Sequence, residues 1–229
     1  MEPRKTYHHG ALREALLEAA EKILRTEGLP ALSLRAIARE AGVSHGSPAH
    51  HFQDLSGLLS DLAAIGYLRL GEYLQNALDQ PGATRDDTDR AYVRFALDNP
   101  ALFSLMFREE RLDSDRPSLV EARKVTFGIL ARVSPPDDEP PKPGGSLQKM
   151  GSMIATWAFV HGFSILAIEG RLDFAQKLLP PGTDVMKLLD AALADLSGRR
   201  GHVVANLAAE KPPPSPAMRR LRRRGSVKN

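Results

Sequence analysis

An all-α fold follows from three features of the sequence. Apolar residues recur at three- and four-residue intervals along most of the chain, the spacing that puts them on one face of a helix. No stretch alternates apolar and polar residues with the period of two that a half-buried strand requires. The breaks between the periodic segments carry residues that stop helices: Gly28, Gly42, Pro81-Gly82, Asn99-Pro100 and the run SPPDDEPPKPGG at 134–145.

Taken in order, the first eleven residues form a polar, basic arm with Arg4, Lys5, Tyr7, His8 and His9. A first helix is expected over Leu12–Thr26, with Leu12, Ala15, Leu16, Ala19, Ala20 and Ile23 on one face and acidic residues opposite. Ser33 can cap a second helix carrying Leu34, Ile37 and Ala38. Gly42 ends it, because glycine takes a left-handed backbone without steric penalty. Val43 follows as an apolar plug. Ser44 is placed to cap a third helix over His45–His51, with Phe52 turned inward. Asp54 caps a long leucine-rich helix reaching about Asp79, close to 40 Å at about 1.5 Å per residue. Further helices are expected from Asp86, over Ala101–Phe107, from Pro117 to Val133, from Ser146 to Glu169 and from Thr183 to Leu196. Arg108–Arg116 reads as a charged loop. The domains implied are a reader with its connecting helix at 12–79 and a second helical domain at 86–200.

The chain has 229 residues, enough to bury a core without staples, and it contains no cysteine. Disulfides, thiolate metal sites and a cysteine nucleophile therefore drop out. The start MEPRKTYHHG has no apolar run, so a cytoplasmic protein without a signal peptide is expected. Met150–Ile168 holds no formally charged residue and approaches the span of a bilayer helix, but its Ser152, Thr156, His161 and Ser164 fit a bundle or interface helix better. The net charge of +3 is uneven. Seven basic residues and no acid lie from Lys211 onward, so the rest of the chain carries −4. That Pro-, Ser- and Arg-rich tail at 211–229 has too little apolar surface to order itself. Residues 1–60 carry seven Lys/Arg against seven Asp/Glu, and five of the seven histidines.

The layout at Ser33–Phe52, two short helices joined by Ala41-Gly42-Val43-Ser44 with a small residue at the crossing, is that of a helix-turn-helix, whose second helix lies in the DNA major groove. The competing explanation is an ordinary helical corner in an all-α core. Arg35 has the fork that reads a guanine edge. Ser44, His45, Gly46 and Ser47 form the start of the third helix, where free amides and short side chains suit a phosphate. His50 and His51 can donate to phosphate, and partial protonation would strengthen them. Arg4 and Lys5 suit the DNA backbone or minor groove. Adjacent histidines also serve as metal ligands, but no third ligand stands at a compatible spacing, so neither a metal nor any other cofactor is expected.

The segments YHHGALREALLEAA (7–20), LSLRAIAREAGVSHG (32–46), HHF (50–52) and LSGLL (55–59) make the chain resemble the TetR family of bacterial repressors. Trp157-Ala-Phe-Val-His161-Gly162, with RAYVRFALDNPALFSLMF (90–107), is similar to the ligand-binding C-terminal domain named for a Trp-His-Gly signature. The resemblance implies a homodimer that binds a palindromic operator and represses transcription. A small molecule in the C-terminal domain would tilt the connecting helix and release the DNA. Family members often carry a tyrosine that reaches a DNA phosphate at the place of Ala49, where the methyl cannot. Pro48 is also unusual in so short a recognition helix.

Trp157 and His161, four apart, share a helix face. With Phe103, Met106, Phe107, Phe127 and Met153 they form either a pocket for an aromatic or lipophilic effector or plain core. Helices 146–169 and 183–196 are the candidates for the dimer interface, since an isologous patch should be apolar. An enzyme is disfavoured: no catalytic constellation, metal-ligand spacing or glycine-rich phosphate loop is present. A nonspecific architectural DNA binder driven by the tail stays open as a second function, and so do a family member without ligand response and a helical small-molecule-binding protein without DNA function.

Overall fold

The computed structural model describes residues 7–132 and 147–196. Arg4, Lys5, the proline-rich run at 134–145 and the basic tail at 211–229 lie outside the described residues. Those described are helical apart from turns and short connections, with no strand among them.

Helix α1 spans Tyr7–Glu27, so residues 7–11, expected in the arm, are helical. Once the amphipathic segment from Leu12 forms a helix, extending it back through Tyr7–Ala11 carries no further nucleation cost. Gly28 stops α1 at a φ of +82°. A short 3-10 turn over Leu29–Ala31 leads to α2, Leu34–Glu40. Ser33 caps α2 as expected, its hydroxyl accepting the Ala36 N–H at 3.1 Å. The end of α2 is a Schellman turn: Gly42 has a φ of +68°, its N–H donates to Arg39 O, and Val43 N–H donates to Ala38 O at 3.0 Å.

Helix α3 covers Ser47–Phe52 rather than His45–His51. Pro48 accounts for the shift. It has no N–H to donate and disfavours a helical residue before it, so it belongs in the first turn. Ser44, His45 and Gly46 consequently lie in the turn between helices, and Ser44 bonds the Ser47 hydroxyl at 2.7 Å instead of capping with its side chain. Gln53, at a φ of +72°, makes the corner into α4. Helix α4 runs over Leu55–Leu78, its first turn closed by Asp54, which accepts the Gly57 N–H at 2.8 Å.

Helix α5 spans Arg85–Asp98, with Asp87 reaching back to Thr84 N–H at 2.8 Å. Helix α6 is Pro100–Met106 and starts on the proline that ends α5. The charged loop contains a 3-10 turn at Glu109–Arg111, and Ser60 on α4 pins it by accepting the Asp113 N–H at 2.7 Å. Helices α7 (Pro117–Arg132) and α8 (Leu147–Ile168) follow the expected segments. Helix α9, Asp173–Leu178, leaves no mark in the sequence pattern, because six residues are too few to show a period.

The described chain divides into one compact unit ending at 181 and a second beginning at 182. In the second, helix α10 covers 185–196 and Asp184 accepts the Lys187 N–H at 2.8 Å. In the first, no separation falls at the 80–84 break, because α4 belongs to both halves: its start packs on α1 and α3, its remainder on α5, α6 and α7. Leu16, Ala20, Ile37, Ala38, Phe52, Leu58 and Leu62 are wholly buried around the reader, and Leu70, Leu74, Tyr92, Phe95, Phe103 and Leu119 are as deeply enclosed farther along.

Candidate DNA-reading surface and interior cavity

The reader is held by its small core and by side-chain ties. Ala38 and Ile37 of α2 are fully buried where the helices cross, and Phe52 fills the space under α3. Lys22 of α1 bonds Glu40 of α2, and Arg69 of α4 forks onto Glu21 of α1 at 2.7 and 3.2 Å. Against this frame, Arg35, Ser44, His45, Gly46 and His50 are exposed, and Ser47 and His51 are half-buried. These residues occupy the first turn of α2, the turn between helices, and α3. Of the free amides expected over Ser44–Ser47, that of Ser47 is taken by Ser44 O at 3.0 Å, and the four residues are spread over a turn and the start of a six-residue helix.

The second feature is a cavity of about 500 Å³ walled by α4, α5, α7 and α8 and by the 108–116 loop. Such a volume is in the range that takes a small organic molecule. Phe107, Phe127, Met153 and Trp157 stand in its wall, as a pocket lined from these helix faces requires. Phe103, Met106 and His161 do not. Phe103 is fully buried, its ring edge-on to Tyr92 and Phe95. Met106 is fully buried against α4, where a Cβ on Gly66 would come within 2.7 Å of its sulfur. An apolar residue on a helix face does not say whether it meets a void or another helix, so the sequence pattern does not separate these two from the wall residues.

His161 lies behind the wall, in a polar chain that explains its spacing from Trp157. Tyr92 Oη is 3.1 Å from His161 Nδ1 and accepts the Trp157 Nε1–H at 3.3 Å. Burial lowers the His161 pKa and raises that of Tyr92, so both are neutral near pH 7. The phenol accepts from the indole, and with the imidazole proton on Nε2 it donates its own proton to Nδ1. The rings of Phe107 and His161, 4.4 Å apart at 67°, complete an aromatic floor.

Sequence reasoning missed the wall residues of α4, α5 and α7: Tyr67, Leu70, Arg85, Thr88, Asp89, Tyr92, Arg123, Thr126 and Leu130. The polar ones are tied into the protein; besides Tyr92, Thr88 donates to Arg85 O at 2.7 Å and Thr126 to Tyr67 O at 2.7 Å. Arg85 bonds Thr156, Arg123 bonds Glu109, and Tyr67 donates to Met106 O at 3.1 Å. No signal in one helix's sequence shows that four helices leave a gap between them. No group of acidic, histidine or cysteine side chains among the described residues could hold a metal ion.

A helix-turn-helix on a long helix that continues into the wall of a cavity defines a one-component regulator: a DNA reader joined to a small-molecule chamber. Residues 16–62 match the family of bacterial regulatory proteins called tetR, and residues 88–196 match the tetracyclin repressor-like C-terminal domain. The chain belongs to the TetR family of DNA-binding transcriptional regulators. A protein of unknown function from Rhodococcus sp. RHA1 shares 32% identity with it, over 82% of this chain and 95% of that one, at a TM-score of 0.63. SCO4313, a candidate regulatory protein, is 23% identical over 86% of this chain and 100% of its own, at a TM-score of 0.65. LfrR, a TetR-like transcriptional regulator from Mycobacterium smegmatis whose structure is a complex with proflavine, is 20% identical over 82% and 96%, at a TM-score of 0.51.

Proposed function

We propose that the protein is a repressor that binds a palindromic operator as a homodimer and leaves it when a lipophilic or aromatic effector fills the cavity. The observation that carries this reading is the continuity of α4: one helix forms the corner next to α3 at Asp54 and reaches the cavity at Tyr67 and Leu70. A molecule that shifts this helix at one end moves the recognition helix at the other, and two half-sites about 34–36 Å apart would be lost together. The proflavine in LfrR, a protein of the same fold, supports an aromatic effector class. A family member of this kind acts on DNA in the cytoplasm and is not an enzyme.

The dimer would form through α8 and α10. Along α8, Ala155, Ala158 and Leu166 are exposed on the side away from buried Val160, Phe163 and Ser164, and nothing lies within 4 Å of the Cβ position of Gly162. Met150–Ile168 is long and apolar enough to cross a bilayer. An apolar face with small residues at its centre equally suits close packing on a second copy.

In the reader, Arg35 would read a base edge, Ser44, His45, Gly46, Ser47, His50 and His51 would approach phosphates, and Arg4 and Lys5 would follow the backbone or minor groove. Enrichment of random duplexes on the protein, followed by titration of the selected site at fixed salt, tests this. Arg35→Ala should lose about 10- to 100-fold on the selected site, the worth of one bidentate base contact, and little on random DNA. Equal losses on both would reassign Arg35 to phosphate, and no selected sequence at all would favour an architectural binder.

A further inference from the structure

The start of α7, a helix of the cavity wall, meets the DNA-reading helices at one buried carboxylate. Asp61, on the part of α4 that faces α1 and α7, is 3% exposed. Arg13 of α1 reaches it at 2.9 Å. Arg116, one residue ahead of α7, forks onto both carboxylate oxygens at 3.0 and 2.8 Å, and Ser118 in the first turn of α7 adds its hydroxyl. Burial alone would push the Asp61 pKa up; the hydrogen bonds from Arg116 and Ser118 and the charges of Arg116 and Arg13 outweigh it and hold the group ionised.

Arg116 does more than neutralise Asp61. Its Nη1 donates to the backbone carbonyl of Phe52, the last residue of the recognition helix, at 3.4 Å. The Arg13 guanidinium stands 5.4 Å over the ring of the same Phe52. Thus α1, α3, α4 and α7 converge on two arginines and one carboxylate. Beyond Arg116, α7 runs straight to the cavity, where Arg123, Thr126, Phe127 and Leu130 are wall residues. A second tie, the Thr126 hydroxyl donating to Tyr67 O at 2.7 Å, marks where α7 leans on α4. Thr126 and Arg116 are separated by about 15 Å of helix, so a tilt of about 5° at Thr126 carries Arg116 through about 1 Å. The bond to Phe52 is already at the long limit and would not survive that displacement.

We propose that Arg116 is a positioning residue that passes the filling of the cavity to the recognition helix: it clamps the end of α3 to Asp61 and α7, and α7 loosens the clamp when its cavity face is pushed. This rests on the reading of the cavity as the effector site, and a permanent filler keeps the test independent of any effector.

Leu130→Trp, or the milder Leu130→Phe, places bulk in the cavity from α7. Arg116→Lys retains a charge beside Asp61, but a single ammonium cannot span both carboxylate oxygens and the Phe52 carbonyl. Amide hydrogen exchange of residues 49–53 in the full-length protein is the readout, with melting curves confirming that each variant is folded. With Arg116 present, the filler should speed exchange about tenfold. In Arg116→Lys exchange should already be fast, and the filler should add less than twofold. The proposal is overturned if the filler leaves exchange at 49–53 unchanged, or speeds it by the same factor in both backgrounds. Proflavine titrated against Trp157 emission in the unsubstituted protein examines the effector reading separately. A flat titration counts against that reading alone, because the exchange data decide the role of Arg116 without any ligand.

Discussion

Replacing Gly57 by alanine should destabilise the protein, although the same replacement stabilises most helices. Gly57 is the third residue of α4, and a Cβ built on it would lie 2.2 Å from the Phe52 carbonyl oxygen and 2.7 Å from Arg116 Nη1. A carbon approaches a carbonyl oxygen comfortably only at about 3.3 Å, so α3 and α4 would have to part by about 1 Å. Overpacking of that kind costs about 1–3 kcal/mol, and losing the Arg116 bond to Phe52 adds about 1 kcal/mol. The better helix propensity of alanine returns at most about 1 kcal/mol. The net expectation is a loss of about 1–3 kcal/mol. Gly128, in α7, has nothing within 4 Å of its Cβ position, so Gly128→Ala should gain about 0.5–1 kcal/mol. Urea unfolding followed by circular dichroism reports both, at one fixed protein concentration because association would add to stability. A Gly57→Ala protein as stable as Gly128→Ala would refute the close approach of α3, α4 and Arg116.

Two other outcomes follow from the same packing. Because burial lowers the His161 pKa, the unfolded chain takes up a proton below about pH 6.5 that the native state resists. Stability should therefore be fully present above that pH and fall as the pH drops toward the lowered native value; His161→Gln should flatten the melting temperature between about pH 7 and 5.5, and an unchanged slope would show that another group is responsible. Ala158→Arg, at the centre of the exposed face of α8, should convert a dimer to monomers in sedimentation velocity at micromolar concentration, and an undiminished dimer would place the interface elsewhere.

The local signals in the sequence are strong where one residue has one physical job. Ser33 and Asp54 cap the helices they precede, Gly42 closes α2 in the left-handed region, and Phe52 turns inward. Each cap depends on groups within a few residues, so the sequence contains the whole interaction. The start of α3 differs from the expected His45 because the cap signal at Ser44 competes with the preference of Pro48 for a first turn, and the second prevails. The resemblance carried by residues 7–59 pointed to the family.

What only the tertiary structure decided is which helix faces enclose space and which meet each other. Trp157, Phe127 and Met106 look alike as apolar residues at helical spacing, yet the first two line a cavity and the third is packed against Gly66. Asp61 looks from its surroundings like one polar residue on a leucine-rich helix, and its partners stand 48 residues before and 55 and 57 after it. Tyr92 meets Trp157 and His161 across 65 and 69 residues. The sequence determined by itself where most of the helices form and cap, because those forces act within one turn. The cavity, the carboxylate between the reader and α7 and the aromatic floor arise from the relative placement of whole helices, which is set by packing over the entire core and is written in no single segment.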